Sequence, residues 1–362
     1  MEVSRQPVAP NRTASIRILT ALAILSLCAA CGGIQPTPDL GIDVPAGYEV
    51  ELYASGLDGP TQMIIGSDGR LWVAQLAGSE GAGTGQVIAL DSGNPAQREI
   101  LLEHLYKPTG IALLNGAVWI AAGRDLLRAS LDAQGKPGTP AAILENLPFN
   151  GRSNGTLTDA PDGHLIYETS GSRSGNVAVE GSASLWSLDP AKPSEPLRLA
   201  TGMKNAFAHT FDRQGRLWAT DIADDPVNGG PPPDELNLIK PGANYGWPAC
   251  YGEKVPATNY GGTEASCGDT QPTVTTFPAR STPTSVIVSP WEEAVLLVAL
   301  WGPTEPSVVR IHWVESQGKV TADDVSPFLT GLAHPQSLLA LADGSVLVSD
   351  FESGSIYRIS QP

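Results

Sequence analysis

The stretch that decides the fold is GPTQMIIGSDGRLWVA, Gly59 to Ala74, with GQVIALD, Gly85 to Asp91, behind it. A loop carrying Pro60 leads into an apolar run. A turn with Asp68-Gly69 follows, then a second apolar run, then a third that ends in Asp91. Asp-Gly between two apolar runs signals a hairpin, because Gly accepts the positive φ of a tight turn. The same pattern returns five times. KPTGIALLNGAVWIAAG (107–123) is followed by LLRASLD (126–132), and NGTLTDAPDGHLIYETSGS (154–172) by ASLWSLD (183–189). KNAFAHTFDRQGRLWATD (204–221) precedes DELNLIKPG (234–242), and TPTSVIVSPWEEAVLLVALWG (282–302) precedes SVVRIHW (307–313). The last copy is HPQSLLALADGSVLVSD (334–350) with GSIYRIS (354–360).

The turns at Asp68, Asn115 and Asp162 are 47 residues apart. That period, with several short strands per unit, belongs to β-propeller blades, and six copies predict an all-β, six-bladed β-propeller. Apolar and polar residues alternate as expected of half-buried antiparallel strands. The early run GYEVELYASGL (47–57) has no partner in its own unit. It is expected to complete the sixth blade and close the ring, leaving no free edge. Residues 221–280 break the even spacing. They predict a long, disulfide-stapled insertion after the fourth blade's inner strands. Long loops in compact domains tend to carry function.

The bulk properties agree. The chain has 362 residues, 39 Gly, 31 Pro and a formal charge of −16. Many Gly and Pro between short apolar runs fit an all-β chain full of turns. The acidic balance argues against nucleic acid or an anionic membrane surface as partner, and tolerates bound cations such as calcium. At the N-terminus, Arg12 and Arg17 precede the apolar run Ile18 to Leu27, which ends in Ala29-Ala30-Cys31-Gly32-Gly33. This is the layout of an export signal over 1–30, and the run is too short to span a bilayer. Its end resembles a bacterial lipobox, with Cys31 the lipid-bearing residue and Cys28 where that motif has Leu. The expected organisation is a signal at 1–30, a tether at 31–46 and the propeller at 47–362. The protein is then periplasmic or at the cell surface, and touches membrane only through an N-terminal lipid. Cys250 and Cys267 are expected to pair in an exported chain.

Inside the insertion, PPPDELNLIKPGANYGWPACYG (231–252) is too rich in Pro and Gly for a helix and too polar for a buried strand. With GMKNAFAHTFDRQGRLWATD (202–221) before it, this segment resembles the soluble glucose/sorbosone/aldose sugar dehydrogenases that depend on pyrroloquinoline quinone (PQQ). Those proteins are six-bladed propellers. The resemblance is specific from Thr201 to Gly252 and generic over the other blades. It implies that the Glu235 carboxylate and the Tyr245 carbonyl bind a structural calcium, a choice of oxygen donors that suits that ion. It implies that Lys204 and Asn205 contact PQQ, whose carboxylates and quinone oxygens call for a cation and an amide. Here Lys204 stands for the family's Arg and Ala206 for its Pro.

The family's catalytic base is a His in the loop that opens the third blade. That loop reads PFNGRSNGTLTDAPDGHLIYE (148–168), and Arg152 falls at the His position. Arg stays protonated and is no general base. The catalytic residue is therefore not identified by the resemblance. The chain's five His are His104, His164, His209, His312 and His334. His209 lies on an inner strand next to the Lys204–Asn205 loop, His164 follows a turn, and His334 opens the sixth blade in a mouth-facing loop. No Ser-His-Asp order or His-Glu metal motif is present. The expected function is an exported PQQ-dependent dehydrogenase acting on the CH–OH group of aldoses or small alcohols, with its base replaced. The alternative is a non-catalytic, calcium-stabilised propeller that binds a saccharide or a protein. A lactonase-like hydrolase needs a metal ringed by side chains from several blades, and Asn154, Asn205 and Asp221 are too few to argue it.

Overall fold

The computed structural model describes residues 40–151, 154–223, 226–302 and 304–361. The expected signal, Cys31 and Arg152 lie outside these residues. Six antiparallel sheets follow one another along the chain, each with four strands running from the inside out, and the third gains a fifth. The innermost strands are Pro60–Ile65, Pro108–Leu114, Thr158–Asp159, His209–Phe211, Pro283–Val288 and Pro335–Ala340. They open blades one to six. The outermost strand of blade six is Glu49–Ala54, paired with Ser355–Ser360 in the register Glu49↔Ser360. The ring is closed by the two ends of the propeller chain, as the unpartnered run at 47–57 predicted.

The sequence reading needs one correction. The second strand of every blade is buried along its whole length: Leu71–Gln75, Ala117–Ala122, Leu165–Thr169, Leu217–Asp221, Val295–Leu300 and Val346–Asp350. Half-buried alternation does not hold there, because each blade is covered on both faces by its neighbours. Trp72, Trp119 and Trp218, all fully buried, fill these interfaces. Around the axis, hydroxyls on the inner strands tie one blade to the next. Thr61 donates to the Pro108 carbonyl, Thr109 to Asn154, Thr158 to His209, Thr220 to Pro283 and Thr284 to Pro335. The Met63 N–H donates to Ser337 and completes the circle.

All innermost strands begin at one end of the propeller, called the rim below. The hairpin turns lie at the other end, where Gly69, Gly116, Gly163, Gly215 and Gly344 take positive φ. The sequence break in blade four divides into two excursions, the first at the rim and the second leaving from the hairpin-turn end and reaching the rim pocket. One joins Asp221 to the third strand, Asp234–Leu238, and the other joins that strand to the outermost one, Thr275–Phe277. The second excursion first runs along blade three, where Ala243–Asn244 pairs in parallel with Ala200 and Thr201. It then carries the Cys250–Cys267 disulfide, with 5.7 Å between Cα atoms, and a one-turn helix, Glu264–Cys267. Asp43 bridges to Thr330, and Ile42 and Val44 pack on the core between blades five and six.

Candidate functional site

Three of the four residues that the resemblance assigns to calcium and PQQ share one pocket. Lys204, Glu235 and Tyr245 line a narrow cleft at the rim of blade four, together with Asp221, Trp247 and Tyr251. Asn205 is buried beside Lys204. The loop that presents the two is pinned from below. Asp221, at the end of the second strand, accepts the Lys204 N–H at 3.0 Å and the Asn205 N–H at 2.6 Å. The Asn205 carbonyl accepts the Ile222 N–H at 2.9 Å. The Asn205 side-chain Oδ1 is buried with no hydrogen-bond partner among the described residues.

Gly171, on the neighbouring blade, allows the close approach. A Cβ there would lie 2.8 Å from Lys204 Cδ and 3.1 Å from the Trp247 ring. The Lys204 stem and the indole therefore share the space over a residue that has no side chain.

Beneath the loop are buried carboxylates that form no ion pair among the described residues. Asp221 and Glu235 are directly opposed across antiparallel strands, so their side chains project from the same face about 5 Å apart at Cβ. Both are buried. Glu235 accepts the Gly252 N–H at 2.5 Å and the Asn237 amide at 3.2 Å, while Asn237 Oδ1 has no partner. Burial, and then the Glu235 charge, hold the Asp221 carboxyl well above the usual carboxylate range. Burial raises Glu235 too, against the pull of the Gly252 amide. On blade three, Glu168 is buried and neither of its oxygens has a hydrogen bond of good geometry. Burial pushes it up to about 8, with the Gly155 amide, the Lys204 charge and the Ala206 amide acting the other way. Among the described residues none of the three carboxylates forms an ion pair.

This donor set fits a hard cation. Two opposed, desolvated carboxylates repel, and an oxygen-seeking divalent ion removes the repulsion. Among the described residues no three His, Cys, Asp or Glu converge as a metal cage. A calcium here would therefore complete its shell with carbonyls and water. The loop above fits an anionic, planar cofactor through one ammonium, one amide and an indole wall.

The histidines divide. His209 is buried, bonds Thr158 through Nδ1, and is pushed down to about 3 by burial. It is a core residue. His164 is half-buried at the opposite end and bonds Ser187. His312 pairs with Asp323 on an outer strand. His104 is exposed near the rim end of the outermost strand of blade one and pairs with Glu103, and His334 stands at the rim just ahead of an innermost strand. Asp221 and Glu168 were not assigned to this site from sequence. The DELNL register would have placed Asp221 opposite Glu235 had the first excursion been read as a hairpin connection. No sequence signal marks Glu168, whose setting depends on the neighbouring blade.

Residues 193–296 match the family model Glucose / Sorbosone dehydrogenase. The chain folds as a six-bladed β-propeller and is similar to the PQQ-dependent sugar dehydrogenases. A second model, Domain of unknown function (DUF7133), matches residues 40–228, more than half of the chain, and the chain belongs to that family. Among solved structures, a Trichoderma reesei carbohydrate-active enzyme of family AA12 superposes with a TM-score of 0.73 at 17% identity, covering 89% of this chain and 98% of that one. The PQQ domain of a pyranose dehydrogenase from Coprinopsis cinerea gives 0.71 at 18%, covering 90% and 98%. The PQQ-bound aldose sugar dehydrogenase of Streptomyces coelicolor gives 0.64 at 19%, covering 88% and 99%. At these identities the likeness is one of fold. No curated protein matches the chain.

Proposed function

We propose that this protein is an exported PQQ-dependent dehydrogenase that oxidises the CH–OH group of an aldose or small alcohol, with calcium under its cofactor loop. One observation carries the reading. Lys204, Asp221, Glu235, Tyr245 and Trp247 meet in one rim pocket, next to a buried amide oxygen that has no partner among the described residues. PQQ, when bound, supplies a two-electron acceptor. Lys204 would hold one of its anionic groups and Asn205 would give it an amide contact, while Trp247 limits water on one side. Glu235 and the Tyr245 carbonyl would hold the calcium, with Asp221 opposite. Asp221 also fixes the loop, because the Lys204 and Asn205 N–H groups both end on it.

The base of the family is replaced in this reading, since Arg152 stands at its position. On this reading the protein works outside the cytoplasm, held by a lipid on Cys31, as the N-terminal sequence layout supports. That replacement is also what favours the second reading, a calcium-stabilised propeller that binds a saccharide or protein and catalyses nothing. Reduction of an artificial dye by the purified, calcium-loaded chain with PQQ, over a panel of aldoses and small alcohols, decides between them. Sugar-dependent dye reduction supports the dehydrogenase. Saturable sugar binding without any reduction supports the binding protein.

A further inference from the structure

The hydrogen bonds at the rim repeat from blade to blade, and they make His334 the counterpart of Asn205. In blade four, Asp221 accepts the N–H groups of Lys204 and Asn205, and the Asn205 carbonyl accepts the Ile222 N–H. In blade six, Asp350 accepts the N–H groups of Ala333 at 2.7 Å and His334 at 3.0 Å, and the His334 carbonyl accepts the Phe351 N–H at 2.8 Å. The two side chains thus leave the backbone at equivalent points of the same rim, each just ahead of its innermost strand.

The imidazole is held in one orientation. It stacks on Trp301 of blade five, with centroids 4.0 Å apart and planes 14° from parallel. Its Nδ1 lies 2.7 Å from the Trp301 carbonyl oxygen. A carbonyl only accepts, so Nδ1 carries the proton and Nε2 of the neutral ring keeps its lone pair. Nε2 has no hydrogen-bond partner among the described residues and is not a buried atom. A base oriented by an acceptor on its far nitrogen is the arrangement that general-base catalysis uses. The loop that opens blade three, residues 148–160, contains no His.

We propose that His334 is the proton acceptor of this rim site. The inference rests on the dehydrogenase reading above. The O–H bond of the bound sugar's anomeric hydroxyl breaks and an N–H bond forms at His334 Nε2. The hydrogen on the same carbon leaves with its electron pair to the quinone oxidant, and the sugar becomes the lactone. The imidazolium then returns its proton to water.

The test has two readouts. In cofactor-free, calcium-loaded protein with 15N-labelled histidine, NMR should show the His334 ring protonated at Nδ1 and bare at Nε2. Adding PQQ together with an aldose should shift the Nε2 signal. His334→Asn keeps an amide donor for the Trp301 carbonyl and removes the base. It should lower kcat by roughly 10²- to 10⁴-fold and leave the PQQ dissociation constant within about twofold. A ring protonated at Nε2, an Nε2 signal that ignores the ligands, or an unchanged kcat in the variant overturns the proposal. If wild-type protein reduces no dye with any sugar, the dehydrogenase reading falls and takes this one with it. If wild type is active and the variant keeps its kcat, only the assignment of His334 falls. Should the variant not fold, the NMR of the wild-type ring decides.

Discussion

Glu235 and Asp221 are opposed, buried and without a counter-ion among the described residues, which gives their substitution an unusual signature. Glu235→Gln should remove the calcium-induced rise in melting temperature. It should also make the calcium-free protein more stable than wild type, because one of two repelling charges is gone. Asn237 can turn its amide so that Oδ1, now unpartnered, accepts from the new side chain. Differential scanning fluorimetry with calcium and with chelator reads both effects. A variant that is less stable without calcium and still responds to it would contradict the site. Glu168 has a pH signature. Its carboxyl is held at about 8 in the folded chain against an ordinary 4.5. Between those values the folded state keeps a proton that the unfolded chain has lost, so stability falls as pH rises through that window and is highest below it. Glu168→Gln should flatten the fall by a few kcal/mol, measured by urea unfolding at pH 5 and pH 8. An unchanged slope would show that the buried acid is not its source. At this scale the sequence was informative where a motif spells out chemistry. Lys204, Asn205, Glu235 and Tyr245 could be named through the resemblance of residues 201–252 to the sugar dehydrogenases. The opposition of Asp221 to Glu235 needs the first excursion to be read as a hairpin connection, and the isolation of Glu168 is a product of packing between blades, which no local pattern encodes.

The second excursion of blade four behaves as an element in its own right. The Cys250–Cys267 bond closes it, and its Gly252 N–H holds the Glu235 carboxylate. Removing the bond releases a loop whose closure is worth about 3 kcal/mol in the chain-entropy model. Cys250→Ser with Cys267→Ser should therefore lower stability by up to that amount. It should also weaken calcium binding by more than it affects the blades on the far side of the ring. Isothermal titration with calcium, beside hydrogen exchange by peptide, separates the two effects, and uniform loss of protection over all six blades would count against it. The pairing itself was legible from two cysteines in a chain read as exported. The path of the excursion was not. Its parallel pairing to Ala200 and Thr201 joins blade four to blade three through two residues too short to show any periodicity.

At the scale of the whole molecule, the repeat carried most of the information. Turns 47 residues apart in the first three units give the blade period, six copies of the unit give the count, and the unpartnered run at 47–57 gives the closure, because a strand edge must be covered. The uniform burial of the second strands escaped the sequence reading, since a strand sandwiched between two neighbouring blades has no solvent face to be polar. Closure by Glu49–Ala54 makes its own prediction. A chain starting after Ser55 would expose the edge of Ser355–Ser360. It should lose its single cooperative melting transition and scatter light at temperatures where the full chain stays monodisperse. Retention of one sharp transition would show that the ring does not depend on this strand.

The central claim, a PQQ site on the blade-four rim, is tested most directly by equilibrium binding. Calcium-loaded full-length protein and its Lys204→Met variant would be titrated with PQQ while tryptophan fluorescence is followed, Trp247 lying in the pocket wall. The account predicts saturable quenching at one PQQ per chain, weakened about tenfold or more in the variant, the scale of one lost hydrogen bond to a charged group. Absence of saturable binding, or equal affinity in the two proteins, would contradict it.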